Sequence, residues 1–316
     1  MVYFLVQAPN GCNVKEDLMS RALPIAVVQA MPRSLASSVD AFASDVADLL
    51  AAFPQTHLAI YPELHLHGAD EDPRTKNARL EESAEPLDGP RCRALGELAG
   101  DLGVWLVPGS VCERGSDGLL YNTAVVFSPD GELVASYRKI FPWRPYEPYQ
   151  PGDRFVVFDM PGHGRLGLSI CYDAWFPEVT RHLAWLGAEV VLNLVKTTTA
   201  DRAQELVLAR ANAIVNQVFV VSVNCAGPVG MGQSLVVDPE GAVRVAASSE
   251  NPVVLTDVLD LDHVVRTRTY GTAGLNRMWD QFDDGDAALE LPLYQGRIDP
   301  ELWHIQSANP ASPSTT

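Results

Sequence analysis

Cys171 closes the apolar run GRLGLSI and is followed by YDAWFPE, in which Pro177 suits the first turn of a helix. A thiol so placed sits at a strand-to-helix turn. Its side chain emerges at the edge of a sheet, and the backbone N–H groups that follow point at whatever the sulfur attacks. The chemistry is nucleophilic attack on an electrophilic carbon, with an oxyanion held by N–H donors. A strand-end cysteine serves equally well as a small buried hydrophobe, so the position needs partners. Glu63 lies near the end of a second apolar run, LAIYPEL, and Lys139 ends a third, LVASYRK. After Lys139 comes IFPWRPYEPYQPG, whose four prolines and interleaved aromatics describe a shaped wall rather than a tether. That wall contains Trp143, Tyr146 and Glu147.

The elements that must position these residues alternate along the chain. β-branched apolar runs predict strands at 58–64, 104–110, 123–128, 155–159, 166–171, 190–195 and 218–224, after a first run that begins at Pro24. Helical patterns fill 39–53, 90–102, 177–186 and 200–217. Pro129-Asp130-Gly131 and Pro239-Glu240-Gly241 each precede an alternating run and predict hairpins, so antiparallel pairs mix with β-α units. Each half holds strand, helix, strand and hairpin, which predicts two sheets related by pseudo-symmetry. Strands this apolar must be covered on both faces, by helices outside and a second sheet inside. Residues 1–22 read as an N-terminal extension, 23–260 as one domain, and 261–316 as a C-terminal arm. The arm carries Trp279, Phe282, Tyr294 and Trp303, and large aromatics there predict docking on the domain or on a partner subunit.

With 316 residues, 47% of them hydrophobic, the chain can bury a substantial core. A formal charge of −17 repels phosphate backbones and anionic lipid, which argues against nucleic acid as a partner. No run approaches the roughly 18 apolar residues of a membrane span, and no basic region precedes the short apolar N-terminus. The expectation is a cytoplasmic protein without a membrane partner. Cys12, Cys92, Cys112, Cys171 and Cys225 are odd in number and lack any CxxC pair, against both a disulfide framework and a structural zinc site.

KIFPWRPYEPYQPG and ICYDAWFPE resemble the lysine and cysteine motifs of the nitrilase superfamily, the carbon–nitrogen hydrolases, and most of all its aliphatic amidase branch. The resemblance extends in order to PIAVVQAMP, IYPEL, YNTAVVFSPDGELVASYRK and ARANAIVNQVFVVSVNCAG, covering about residues 24–260. It implies a four-layer α-β-β-α sandwich of two mixed β-sheets covered by helices. It also implies Cys171 as nucleophile, Glu63 as general base, Lys139 as oxyanion stabiliser and Glu147 as a second glutamate that positions substrate. The physics agrees: a thiol at its free pKa is a few per cent thiolate at neutral pH and needs a nearby base. Lys139 and the N–H of Tyr172 would stabilise a tetrahedral intermediate, and the thioester would yield to water activated by Glu63. No cofactor or metal is needed. The family's associations imply a homodimer or a higher homo-oligomer with the arm in its contacts.

Within the superfamily, Cys-Trp-Glu marks nitrilases and Cys-x-Asp marks amidase and carbamoyl branches; this chain has Cys171-Tyr172-Asp173. Carbamoyl amino-acid enzymes carry arginines just after that Asp to grip a carboxylate, where this chain has Ala174 and Trp175. The expected substrate is therefore a small neutral amide, walled by Trp143, Tyr146, Tyr172 and Trp175. A nitrilase or an N-carbamoyl amide hydrolase built on the same residues is the alternative. A remoter one is a metal-dependent amidohydrolase using His65 and His67, which on a strand would share one face. Arg144, Arg181 and Lys196 are expected to be solvated.

Overall fold

The computed structural model describes residues 21–68, 74–291 and 296–298. Cys12, Tyr294 and Trp303, like residues 1–20 of the expected extension, lie outside that range.

The first sheet takes β1 (Ala22–Gln29), β2 (Leu58–Ile60), β3 (Trp105–Val107), β4 (Ser110–Arg114), β5 (Leu120–Phe127) and β6 (Leu133–Arg138). The second takes β7 (Val157–Met160), β8 (Gly164–Ile170), β9 (Val190–Val195), β10 (Phe219–Asn224), β11 (Leu235–Val237) and β12 (Val243–Ala246). The chain then returns to the first sheet, where β13 (Val253–Asp260) pairs antiparallel with β1. Both sheets are mixed. Each has three parallel strands, β1-β2-β3 in one and β8-β9-β10 in the other, flanked by antiparallel ones.

Alternation along the strands explains why two sheets stack. In β1, Leu23, Ile25 and Val27 face the second sheet, meeting Leu166, Leu168, Ile170, Leu192 and Leu194 in one buried cluster. Ala26 and Val28 point the other way, onto α1 (Val39–Ala52), with α3 (Pro90–Leu102) beside it; α2 (Lys76–Ser83) lies between these in sequence. On the second sheet, Val191 and Val220 pack under α4 (Pro177–Trp185) and α5 (Arg202–Asn216). The order of layers is helix, sheet, sheet, helix. A last helix, α6 (Asp262–Tyr270), follows β13, and its Val264 joins the inter-sheet cluster.

Several expected bounds shift. The strand expected over 58–64 ends at Ile60, because Leu64 takes φ 50° and the chain turns there. The run 104–110 splits into β3 and β4 around Gly109, at φ 99°. A side chain at Gly109 would put its Cβ 2.0 Å from Pro62 O, so glycine permits this close approach to the Glu63 turn. Helices α2 and α6 were not foreseen. Trp279 of the arm is buried against α4 and α5 of its own chain, with the Arg181 guanidinium 5.0 Å from its ring centroid, so Arg181 is not simply solvated. Among the described residues, no helix is long and apolar enough to cross a membrane.

Candidate active site

Glu63, Lys139 and Cys171 each follow the last residue of a strand within a few positions, after β2, β6 and β8. Strands of two stacked sheets thus deliver three reactive side chains to one end of the sandwich. Lys139 is fully buried; its Nζ donates to Glu63 Oε1 at 3.1 Å and to Glu147 Oε1 at 2.8 Å and Oε2 at 3.0 Å. Asn122 Nδ2 donates to Glu63 Oε1 at 2.7 Å and fixes that carboxylate from β5. Glu147 is fixed from its own loop, where Trp143 N donates to its Oε2 at 3.1 Å.

Cys171 opens a short 3-10 turn, Cys171–Trp175, with φ 48°, a left-handed conformation that a side chain other than glycine adopts at a cost. The buried Asp173 carboxylate holds the turn, accepting from Ile170 N and Phe141 N, each at 2.9 Å, and from Tyr137 Oη at 2.8 Å. The N–H of Tyr172 is among the first of this turn and has no partner within it.

The charges act on one another. Burial opposes the Lys139 ammonium, but Glu63, Cys171 and Glu147 outweigh it and raise its pKa well above the ordinary value. Burial pushes the Glu147 carboxyl up, against the pull of Lys139. Burial also lifts the Cys171 thiol well above its usual range; Glu63, Glu205 and Glu147 add to this and Lys139 opposes it. A thiol held up in this way needs a base at the moment of attack.

Above Cys171 opens a cavity walled by Trp143, Glu147, Tyr172, Lys196, Thr197 and Glu205, with Asp201 near its rim. Its space for the centre of a water-sized molecule is about 40 Å³, room for roughly three waters. Tyr146 and Trp175, expected in the wall, stand outside it. Tyr146 is 65% exposed and packs against Trp143, ring centroids 4.4 Å apart. The Trp175 ring lies 6.1 Å from that of Tyr172, centroid to centroid. Lys196, expected in solvent, borders the cavity because β9 ends one residue before it.

The His65 and His67 pair is in a turn, not on a strand, and both rings are buried. His67 Nε2 faces Arg91 Nη1 at 2.7 Å and Cys112 N at 3.4 Å, so its lone pair is already engaged by donors. Burial, then Arg33 and Lys196, hold His65 down at about 3. No group of three His, Cys, Asp or Glu suited to a metal occurs among the described residues. This donor set does not fit a metal-dependent amidohydrolase.

Residues 24–269 match the family model for carbon-nitrogen hydrolase. The chain belongs to the carbon-nitrogen hydrolase family. Among solved carbon-nitrogen hydrolases it is similar to Nit3 of Saccharomyces cerevisiae, a member of the nitrilase superfamily, with TM-score 0.70 and 25% identity over 78% of this chain and 93% of that one. It is also similar to the amidase of Nesterenkonia sp. AN1, with TM-score 0.65 and 25% identity over 79% of this chain and 94% of that one. That structure is of a mutant of the amidase, with the acetamide moiety of fluoroacetamide covalently added at its active-site cysteine. A formamidase of Bacillus anthracis is 36% identical over 179 residues, 56% of this chain and 52% of the formamidase. The chain spans about half the length of the curated relatives it matches.

Four residues of this candidate site were not read from the sequence as such. Asn122 lies inside an ordinary strand run and gives no signal. Thr197 and Lys196 follow β9 directly, so the strand-end rule that found Glu63, Lys139 and Cys171 applies to them as well. Glu205 lies in the first turn of α5, where an acidic residue usually only complements the helix dipole.

Proposed function

We propose that this chain hydrolyses a small uncharged amide to a carboxylic acid and ammonia through a thioester on Cys171. The observation that carries the reading is the buried Lys139 ammonium gripped by Glu63 and Glu147 beside the Cys171 turn. The Cys171 sulfur attacks the amide carbon while its proton passes to Glu63. The oxygen that gains charge is met by Lys139 Nζ and the Tyr172 N–H, donors of a kind worth roughly 10²–10³ in rate each. Collapse of the intermediate breaks the C–N bond, and ammonia leaves with the proton that Glu63 returns. Water then attacks the thioester with Glu63 again as base, and the acid departs. Glu147 holds Lys139 in place and borders the substrate.

Two features favour a small neutral substrate. The cavity beside Cys171 is small, about 40 Å³. Its lining places Lys196 beside the carboxylates of Glu147, Asp201 and Glu205. A substrate carboxylate entering there meets more negative charge than positive, at a desolvation cost of several kcal/mol. The named activity of the similar amidase and formamidase agrees with amide hydrolysis. A panel of short aliphatic, aromatic and carbamoyl amides, with the matching nitriles, tests the reading through released ammonia. Short neutral amides should lead. Nitriles or anionic carbamoyl acids ahead by more than about tenfold, roughly 1.4 kcal/mol in transition-state binding, would reject it.

A further inference from the structure

Opposite the Glu63–Lys139–Glu147 group, a second hydrogen-bonded chain reaches the same sulfur. Thr197 Oγ1 lies 3.8 Å from Cys171 Sγ. The same hydroxyl lies 2.7 Å from Glu205 Oε1 and 2.8 Å from Oε2. Glu205 Oε2 in turn accepts from Arg202 Nη1 at 3.0 Å, and Arg202 is 1% exposed. Arg202 is anchored further by donating to Gly232 O at 3.1 Å, Gln233 O at 2.9 Å and Ser222 Oγ at 3.1 Å. The backbone of Thr197 is clamped as well, its N–H donating to Asn224 Oδ1 at 2.9 Å and its carbonyl accepting from Met231 N at 2.9 Å. Nothing in this chain is placed by chance contact with solvent, since Thr197 and Glu205 are both buried.

The direction of the hydrogen bonds follows from counting protons. A threonine hydroxyl has one proton and two lone pairs, and an ionised carboxylate only accepts. The Thr197 proton therefore goes to Glu205, a charge-assisted bond stronger than any a thiol could offer. Toward Cys171 the hydroxyl has only a lone pair left. The sulfur must supply the proton in that contact.

Resting on the thioester reading above, we propose that Thr197, oriented by Glu205 and Arg202, is a positioning residue that locks the resting nucleophile as a thiol with its S–H turned toward Thr197. The lock fixes the direction of Sγ in the empty site and keeps Cys171 from reacting with stray electrophiles. It is released only when the proton is drawn to Glu63 during attack. The charged and titratable groups that share the field at Sγ are Glu63 after β2, Lys139 and Glu147 around the loop after β6, Glu205 on α5, Asp173 in its own turn, and Lys196 and Asp201 on the cavity wall. Of these, Glu205 alone acts through a hydroxyl that touches the sulfur.

The pH dependence of Cys171 alkylation by iodoacetamide, read on full-length protein with and without substitutions, tests the lock. Glu205→Gln keeps one acceptor oxygen for Arg202 but removes the charge and frees the Thr197 proton to turn to sulfur. Both changes favour thiolate, so the alkylation midpoint should fall by about one pH unit. On a Thr197→Val background the hydroxyl is gone, and Glu205→Gln should shift the midpoint by about half as much or less. Thr197→Ser should match wild type in alkylation and turnover, whereas Thr197→Val should lose about tenfold in kcat with KM little changed. An unmoved midpoint in Glu205→Gln, or equal shifts in the two backgrounds, overturns the proposal, as does failure of Thr197→Ser to restore what Thr197→Val loses. Alkylation needs no substrate. If no amide is turned over by the wild type, the hydrolase reading falls while the alkylation results still decide the lock.

Discussion

The Tyr137 hydroxyl donates to Asp173 Oδ2 at 2.8 Å, tying the strand that delivers Lys139 to the turn that delivers Cys171. Tyr137 lies in β6 of the first sheet, and Asp173 in the turn that follows β8 of the second. Phe141 N, just past Lys139, donates to the other oxygen of the same carboxylate at 2.9 Å. The spacing of nucleophile and ammonium is thus set by a buried carboxylate that touches neither.

Asp173→Asn replaces one of the two acceptor oxygens by a donor that faces donors. The expected cost is about 2–3 kcal/mol of stability, read as a lower urea midpoint, together with a loss of kcat as the Cys171 turn loosens. Burial lifts the Asp173 carboxyl from 3.8 to about 6 against the pull of Lys139 and its hydrogen bonds. With the folded pKa above the unfolded one, the fold binds more protons than the unfolded chain in that window. This group's contribution is then full below about pH 4 and declines as pH rises through about 6. Asn has no such slope, so the stability gap between wild type and Asp173→Asn should narrow from about pH 4 to about pH 7. A gap that widens contradicts the assignment.

Lys139→Ala removes the cation from between the buried Glu63 and the half-buried Glu147 carboxylates. Turnover should drop by several orders of magnitude, and stability by about 3–5 kcal/mol, because a broken buried pair leaves uncompensated charge. Adding Glu63→Gln should recover part of the melting temperature but none of the activity. Glu147→Gln alone should be nearly as damaging to kcat as Lys139→Ala; a mild effect would reduce Glu147 to a structural role.

Most of the layer order was legible because strand alternation and helix periodicity are local signals, as in β9 and α3, whose bounds match the expected ones. The strand-end placement of Glu63, Lys139 and Cys171 could be read from apolar runs that stop. Tyr146 and Trp175 do not border the cavity; for Trp175, the turn that carries it opens with Cys171 at φ 48°, which no pattern in YDAWFPE encodes. Asn122, Thr197 and Glu205 stayed hidden for another reason. They reach the site across strand pairings and layers, relations set by tertiary register rather than by neighbours in the chain.

The small cavity sets a chain-length limit. Rates should fall steeply from acyl groups of one to three carbons to larger ones, and Trp143→Ala, which removes one wall, should shift the preference toward longer acyl chains. Comparing kcat/KM across a straight-chain amide series in both proteins checks this. An unchanged profile would place the acyl group elsewhere.

Among the described thiols, Cys92, Cys112 and Cys225 are buried, and burial pushes Cys92 and Cys112 up to about 11. Cys171 is partly exposed beneath the cavity. Iodoacetamide should label it ahead of these three in the native protein. Because its thiol is raised, the labelling rate should keep climbing past the ordinary value of 9.0 instead of levelling there. Peptide mapping after timed labelling reads both.

The central claim is a covalent acyl group on one sulfur. Turnover of a short amide, quenched in acid and digested, should show the acyl mass on the peptide that contains Cys171, while Cys171→Ala, folded as judged by circular dichroism, should release no ammonia. Ammonia release by Cys171→Ala at the wild-type rate, or the acyl mass on any other residue, would contradict it.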